Sequence, residues 1–252
     1  MNAIARELID AAKELNAQLA SCCFGEPVAY TYNPLEYAWN GNEAYITRYV
    51  QGEVDVLYLG MNPGPFGMAQ TGVPFGETHA VTEWLGLHAL IGQPAKIHPK
   101  RPIDGFGCAR SEVSGRRLWG LMAELYGTAD LFFQQSYVAN FCPLIWMKDS
   151  AANITPDKIA KAEMIVVNAA CQQHLQRSIA ALKPKVLVGI GGYAKQQLEL
   201  AANALPHMKL IVTSILHPSP ASPMANKQWP EKPREQLREI FTEAGLRLPP
   251  QL

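Results

Sequence analysis

VDVLYLGMNPGPFGMAQTGVPFGE, residues 54–77, is the stretch that decides the fold. Its first part, VDVLYL (54–59), is short, apolar and stopped by Gly60, the signature of a buried strand. Glycine and proline then dominate as far as Gly76. A loop of that length inside a compact fold usually carries function. Working outward, SYVANF (136–141), KVLVGI (185–190) and KLIVTSI (209–215) read as three more apolar strands. Ile4, Leu8, Ala12, Leu15 and Leu19 recur at helical spacing and predict an N-terminal helix over 4–19. Further helices are predicted over 78–92, over 111–126, from the Thr155-Pro156 start signal to about Leu182, from the glycines at 191–192 through Leu200, and over 230–244. Strands alternating with helices imply an α/β fold whose parallel sheet is covered on both faces. No repeat, linker or low-complexity segment divides the chain, so one domain over 1–252 is expected.

Composition narrows the function. The chain is 48% hydrophobic, enough for a sizeable core and too much for a disordered polymer. No apolar run reaches the roughly 18 residues of a membrane span. Arg6, Glu7, Asp10, Lys13 and Glu14 argue against a secretory leader in the first twenty residues. Lysine plus arginine is 22 and aspartate plus glutamate is 22, so the net charge is zero. That balance argues against coating nucleic acid by bulk electrostatics, but it leaves room for a local patch that touches a few phosphates. The cysteines (22, 23, 108, 142 and 171) are odd in number and lack a CxxC pair, which reads as reduced thiols in an intracellular protein. The expected location is the cytoplasm or nucleoid of a bacterium, or the nucleus of a eukaryote. A monomer is the default expectation.

In parallel sheets ligands sit outside the carboxyl ends of the strands. Four loops converge there: Gly60–Gly76, Asn140–Pro143, Gly189–Gly192 and His217–Trp229. The first has neither a Walker ending nor a dinucleotide fingerprint. Its glycines let a ligand approach the backbone and its prolines stiffen it. Asn62 could hold a water through its carbonyl or cap the turn. Phe66 and Phe75 suit either the core, the favoured reading, or stacking on an aromatic ligand. Asn140 offers one donor and one acceptor, a match for the O4 and N3–H edge of uracil, or ties down its own turn. The bare amides at Gly191 and Gly192 could take one phosphate or form a tight strand–helix turn. His217 follows a strand directly, and proline fixes the chain behind it. That makes it a candidate acid or charge stabiliser. The other histidines show no metal-ligand spacing. Glu77 alone stands at the margin of these loops, so paired-carboxylate chemistry is not expected, nor is any metal or cofactor.

Taken together, GMNPGPFGMAQTGVPFGE and HPSPASPMANKQW resemble the single-strand-selective monofunctional branch of the uracil-DNA glycosylases. KRPIDGFGCARSEVSGRRLW and the strand ending Asn140-Phe141-Cys142-Pro143 look similar to the same branch, and the likeness runs over roughly residues 30–230. The resemblance implies a three-layer α/β/α sandwich with a four-stranded parallel sheet. It implies a monofunctional hydrolase that removes uracil, and 5-substituted uracils such as 5-hydroxymethyluracil, from single- and double-stranded DNA. The products would be an abasic site and free uracil. Asn62 takes the place of the residue that positions the water, and His217 that of the residue stabilising the departing base. Met61 and Gly64 line the pocket, Phe75 stacks on the flipped base and Asn140 pairs with its edge. Gly191 and Gly192 stand where DNA phosphate is held. Segment 218–229, with Pro218, Ser219, Pro220 and Lys227, corresponds to the wedge that enters the duplex.

The chemistry suits those residue types. Glycosidic cleavage places positive charge on the sugar and negative charge on the base, so a donor at uracil O2 helps and no side-chain nucleophile is needed. No lysine other than Lys227 stands near enough in sequence to form a Schiff base, so no lyase activity is expected. Lys96, Lys100, Arg101 and Arg110 are candidate phosphate contacts beside Lys227. One departure stands out: the branch commonly carries HPSPRNPQAN, whereas Ala221, Ser222 and Met224 occupy the arginine, asparagine and glutamine positions here. The loss of that arginine predicts weaker action on duplex than on single strands. Two other readings remain: a glycosylase of the same fold acting mainly on another deaminated base such as xanthine, and a non-catalytic module that binds DNA or uracil.

Overall fold

A computed structural model describes all residues, 1–252. In chain order the elements are α1 (Ala3–Leu19), β1 (Tyr30–Tyr32), α2 (Pro34–Tyr37), α3 (Trp39–Tyr49), β2 (Val56–Gly60), α4 (Met68–Thr71), α5 (Val113–Tyr126), α6 (Ala129–Phe133), β3 (Ser136–Asn140), β4 (Ile145–Met147), β5 (Asn153–Ile154), α7 (Lys161–Leu182), β6 (Val186–Ile190), α8 (Gly192–Asn203), β7 (Ile211–Ile215), α9 (Pro223–Gln228) and α10 (Glu231–Glu243). The Asn2 side chain accepts a hydrogen bond from the Ala5 N–H and so starts α1. Leu8, Ile9, Ala12, Leu15 and Leu19 then bury one face of it, and α1 packs on α7. Arg177 of α7 fastens that pair by bridging to Glu7 and Glu14.

The main sheet is four-stranded and parallel, in the order β3-β2-β6-β7. Every residue of β2 and of β6 is buried, as expected for central strands covered by helices on both faces. The register pairs Gly60 with Asn140, Leu59 with Gly189 and Ile190 with Ile215. The carboxyl ends therefore finish level, and the four loops named from the sequence meet at one edge. No helix is long and apolar enough to cross a membrane, and all five cysteines are unpaired.

Several local expectations are corrected. A second, antiparallel sheet joins β1, β4 and β5; its strands are too short for a readable alternation of side chains. The helix expected over 78–92 is only a π-turn, Ala80–Trp84. Gly86, at φ +59°, stops it, and no further helix forms before Gly105. The Thr155-Pro156 signal opens only a 3-10 turn, Pro156–Lys158, and α7 begins at Lys161. Two supposedly irregular loops contain helices. In the first loop α4 covers Met68–Thr71. In the last, Ser222 accepts from the Ala225 N–H to cap α9, with Pro223 at its first position.

Candidate active site

Gly60 closes β2 and sets the floor of the site. A Cβ there would stand 2.4 Å from Asn140 Oδ1 and 2.5 Å from the Phe75 ring. Only a residue without a side chain lets both groups close over the strand end. Phe75 is buried, and its backbone is left-handed at φ 52°. A bulky side chain in that region stores strain of the kind found at ligand clamps. The ring lies 6.5 Å from the His217 imidazole, centroid to centroid. Phe75 therefore belongs to the core and to the site at once. Phe66 does not join the core; its ring lies under the guanidinium groups of Arg101 and Arg110.

A cavity of about 140 Å³ opens above this floor. It is lined by Met61, Asn62, Pro63, Gly64, Phe75, Glu112, Ser114, Asn140, Asn153, Thr155 and His217. Three side chains in it have unspent capacity. Asn62 donates through Nδ2 to the Leu144 carbonyl at 3.1 Å, which fixes the amide and leaves Oδ1 as an acceptor. Asn140 donates weakly through Nδ2 to Met68 Sδ at 3.4 Å. Its Oδ1 is buried without a partner, a costly state unless a ligand supplies the donor. His217 Nδ1 accepts the Ser219 N–H at 3.0 Å, which puts the ring proton of the neutral form on Nε2. Burial holds His217 below the usual histidine pKa, so the imidazole is neutral at pH 7 and donates from Nε2.

Gly191 stands behind the imidazole, and a Cβ there would lie 3.1 Å from His217 Cβ. Its N–H is already given to the Ile215 carbonyl at 3.0 Å. The amides open to an anion therefore begin at Gly192, where space is clear. The HPSP segment is fastened to α5 by Arg117, which donates to the Pro218 carbonyl and to Asn226 Oδ1, each at 3.0 Å. Lys227 on α9 is exposed. Among the other predicted phosphate contacts, Lys96 is tied to the Ala29 carbonyl and Arg101 to the carbonyls of Lys100 and Ala151. Lys100 and Arg110 are exposed.

The model of the uracil-DNA glycosylase superfamily matches residues 47–244. The chain belongs to that superfamily. It is a glycosylase, a hydrolase of N-glycosyl bonds. It is 43% identical over 238 residues to the rat single-strand selective monofunctional uracil-DNA glycosylase, covering 94% of this chain and 85% of the relative. It is 45% identical over 227 residues to the bovine protein of the same name, covering 90% and 83%. A solved structure of Pedobacter heparinus SMUG2 superposes with a TM-score of 0.64 over 97% of both chains at 17% identity, which speaks to the fold.

Four lining residues of this glycosylase escaped the sequence reading: Glu112, Ser114, Asn153 and Thr155. Glu112 and Ser114 belong to the SEVSG stretch, visible only as part of the resemblance. Thr155 looked like a helix cap; it makes no capping bond and faces the pocket instead.

Proposed function

We propose that this glycosylase hydrolyses the N-glycosidic bond of uracil in DNA, leaving an abasic site and free uracil. The reading rests on one observation: the bond from Ser219 to His217 Nδ1, which leaves Nε2–H as a donor in the pocket that Asn62 and Asn140 also line. The base leaves the stack and enters the pocket, at lower cost from single-stranded DNA than from duplex. Asn140 Oδ1 accepts N3–H and its amide nitrogen faces O4. His217 Nε2–H meets O2 as negative charge gathers there. Asn62 Oδ1 orients a water toward the sugar carbon, and a sugar with cation character needs no stronger base. No lysine lines the pocket, which supports a monofunctional hydrolase without lyase activity. The amides from Gly192, the Pro218–Pro220 turn and Lys227 are the proposed DNA contacts. Ala221 offers only a methyl group, too short to fill the hole left by a flipped base, which supports a preference for single strands over duplex. The names of the rat and bovine relatives agree with both features. We extend the substrate class to 5-substituted uracils.

The test is a labelled oligonucleotide with one uracil, single-stranded or opposite guanine, incubated in EDTA and split into samples with and without hot alkali. Cleavage only after alkali, faster for the single strand, is the expected result. Cleavage without alkali would remove the monofunctional assignment. Intact DNA in every arm would overturn the uracil assignment.

A further inference from the structure

α4, the four-residue helix inside the first loop, has no part in the proposed reaction, yet its residues are pinned from outside one after another. The Ala69 carbonyl accepts from Tyr37 Oη at 2.8 Å. Gln70 is fully buried and uses its whole amide: Nε2 donates to the carbonyls of Pro65 and Pro102, and Oε1 accepts the N–H groups of Asp104 and Gly105. Thr71 Oγ1 donates to the Gly76 carbonyl at 2.9 Å. At the entry to the helix the Glu112 carboxylate lies across Gly64 and Gly67, where any side chain would collide with it. A single turn of helix is too short to hold its own shape, so these contacts fix it. What they set in place is Met68, the buried first residue of α4.

Met68 Sδ accepts the single hydrogen bond that the Asn140 side chain makes, from Nδ2 at 3.4 Å. Asn140 Oδ1 lies on the Gly60 and Phe75 side, buried and without a partner. An asparagine amide has nearly the same shape either way round, but half a turn exchanges its donor and its acceptor. A thioether tells the two ends apart, because its sulfur accepts and cannot donate. With the nitrogen against sulfur a bond forms. With the oxygen there, two acceptors face each other and no bond forms. Asn42 and Ser178 also line the small cavity behind Asn140, but Asn42 donates to the Gly72 carbonyl and Ser178 to the His174 carbonyl, and neither bonds Asn140. We infer that Met68 is a positioning residue, whose sulfur holds the Asn140 amide with its oxygen turned into the base pocket.

This inference rests on the proposed uracil-binding mode and says what enforces it. Turned inward, Oδ1 accepts the uracil N3–H, and the second hydrogen of Nδ2 is left for O4. Cytosine presents the reverse pattern, a bare N3 beside an amino group at C4. It needs the amide turned, with its oxygen against the sulfur of Met68. Met68 therefore acts against cytosine before any base has entered, a repulsive element aimed at a competitor. A weak acceptor is enough for this task, because it chooses between two orientations of one buried group and does not have to bind a ligand.

The test compares the wild type with Met68→Leu, which keeps the apolar volume and removes the acceptor. Kd is measured on single-stranded oligonucleotides carrying one 2′-fluoro-2′-deoxyuridine or one 2′-fluoro-2′-deoxycytidine. The fluorine disfavours positive charge on the sugar, so the glycosidic bond survives and binding is read alone. We expect the wild type to prefer the uracil strand and Met68→Leu to lower the uracil-to-cytosine affinity ratio roughly fivefold, the usual worth of one neutral hydrogen bond. On an ordinary uracil strand kcat/KM should fall only about twofold, since an amide free to turn is competent about half the time. An unchanged ratio in the variant, with affinity kept or lost equally on both strands, would overturn the inference and mark Met68 as packing alone, while leaving the uracil reading intact. A wild type without preference for the uracil strand would remove that reading and this inference together. Should Met68→Leu fail to fold, the side-chain amide protons of Asn140 decide, read by NMR in wild-type protein labelled with ¹⁵N-asparagine. Free uracil should shift one proton and leave the other on sulfur; displacement of both refutes the assignment.

Discussion

Asn62 and His217 reach the pocket from different strand ends, and each is held by a single backbone contact, to Leu144 and to Ser219. Both are poised without being charged, which suits a reaction whose charges develop only in the transition state. Replacing His217 by alanine removes the proposed donor at O2 and should lower kcat roughly 10²–10³-fold, the usual effect of losing one oxyanion-type donor. Asn62→Ala should cost at least about tenfold in single-turnover rate while binding to uracil-containing DNA is kept, as for a group that acts chiefly in the transition state. Wild-type turnover in either variant would remove the corresponding role. Glu112 carries a stability prediction of its own. Its folded-state pKa is raised, so its contribution is favourable below the ordinary glutamate pKa and is lost as pH rises through about 7. Glu112→Gln should therefore raise Tm at pH 8 and raise it less, or not at all, at pH 5. An equal shift at both pH values would contradict a buried ionising carboxyl. Asn140 and His217 were legible in the sequence because each ends an apolar strand. Glu112 was not, because it acts across a loop 45 residues or more away in the chain, from a helix start that looks ordinary.

At the scale of elements, the proposed wedge is a short proline-rich turn followed by α9, and little of it is buried. Its position depends on Arg117, which reaches from α5 to Pro218 and Asn226. α5 thus carries Glu112 at one end of its first turn and the tether of the His217 loop on the next. Arg117→Ala should leave the fold intact and loosen both His217 and α9. The expected outcome is a KM for duplex substrate about tenfold higher, with a smaller change on single strands, because an unsupported wedge penalises base extrusion most. Arg117→Lys should restore little, since a point charge cannot make the two diverging bonds of a guanidinium. Equal losses on both substrates would show that the tether serves catalysis and not the wedge. None of this was readable beforehand, because the hydrogen-bond partners of a surface arginine depend on which loop folds back over it.

Over the whole molecule, the sheet brings the loops of the candidate site level, while α1 and α7 close one side. His174, on α7, lines a second, mostly apolar cavity of about 50 Å³ behind Asn140, together with Leu8, Ile46, Met68 and Val138. Burial, helped by Arg177, lowers its pKa to about 4. The unfolded chain takes up that proton near pH 6.5 and the folded chain does not. Stability from this group is therefore complete above about 6.5 and is lost as pH falls toward 4. His217, shifted in the same direction, adds to the loss, while Glu112 opposes it. Thermal melts from pH 7 to 4.5 should show a falling Tm, and His174→Gln should flatten the fall. A wild-type curve with no slope below pH 6.5 would exclude the linkage.

The sequence by itself determined the parallel sheet and the edge at which ligands gather. Apolar strand cores such as VLYL and VLVGI have no stable place except between helices, and glycine or proline ends each of them. It also picked out candidate pocket residues: Asn62, Asn140 and His217 stand at or just beyond strand ends and Phe75 near the end of the first loop, and all four line one cavity. Short-range signals fared worse. Thr155 became a pocket residue, and the 78–92 helix shrank to a π-turn, because tertiary packing outweighs a propensity worth a few tenths of a kcal/mol per residue. Only the tertiary structure decided which amides remain free, which side chain tethers the wedge, and that a lone glutamate lies across two glycines in the pocket. Those features are set by contacts between segments far apart in the chain, where the choice of neighbour is made by the packing of the whole core and leaves no periodic trace in either segment.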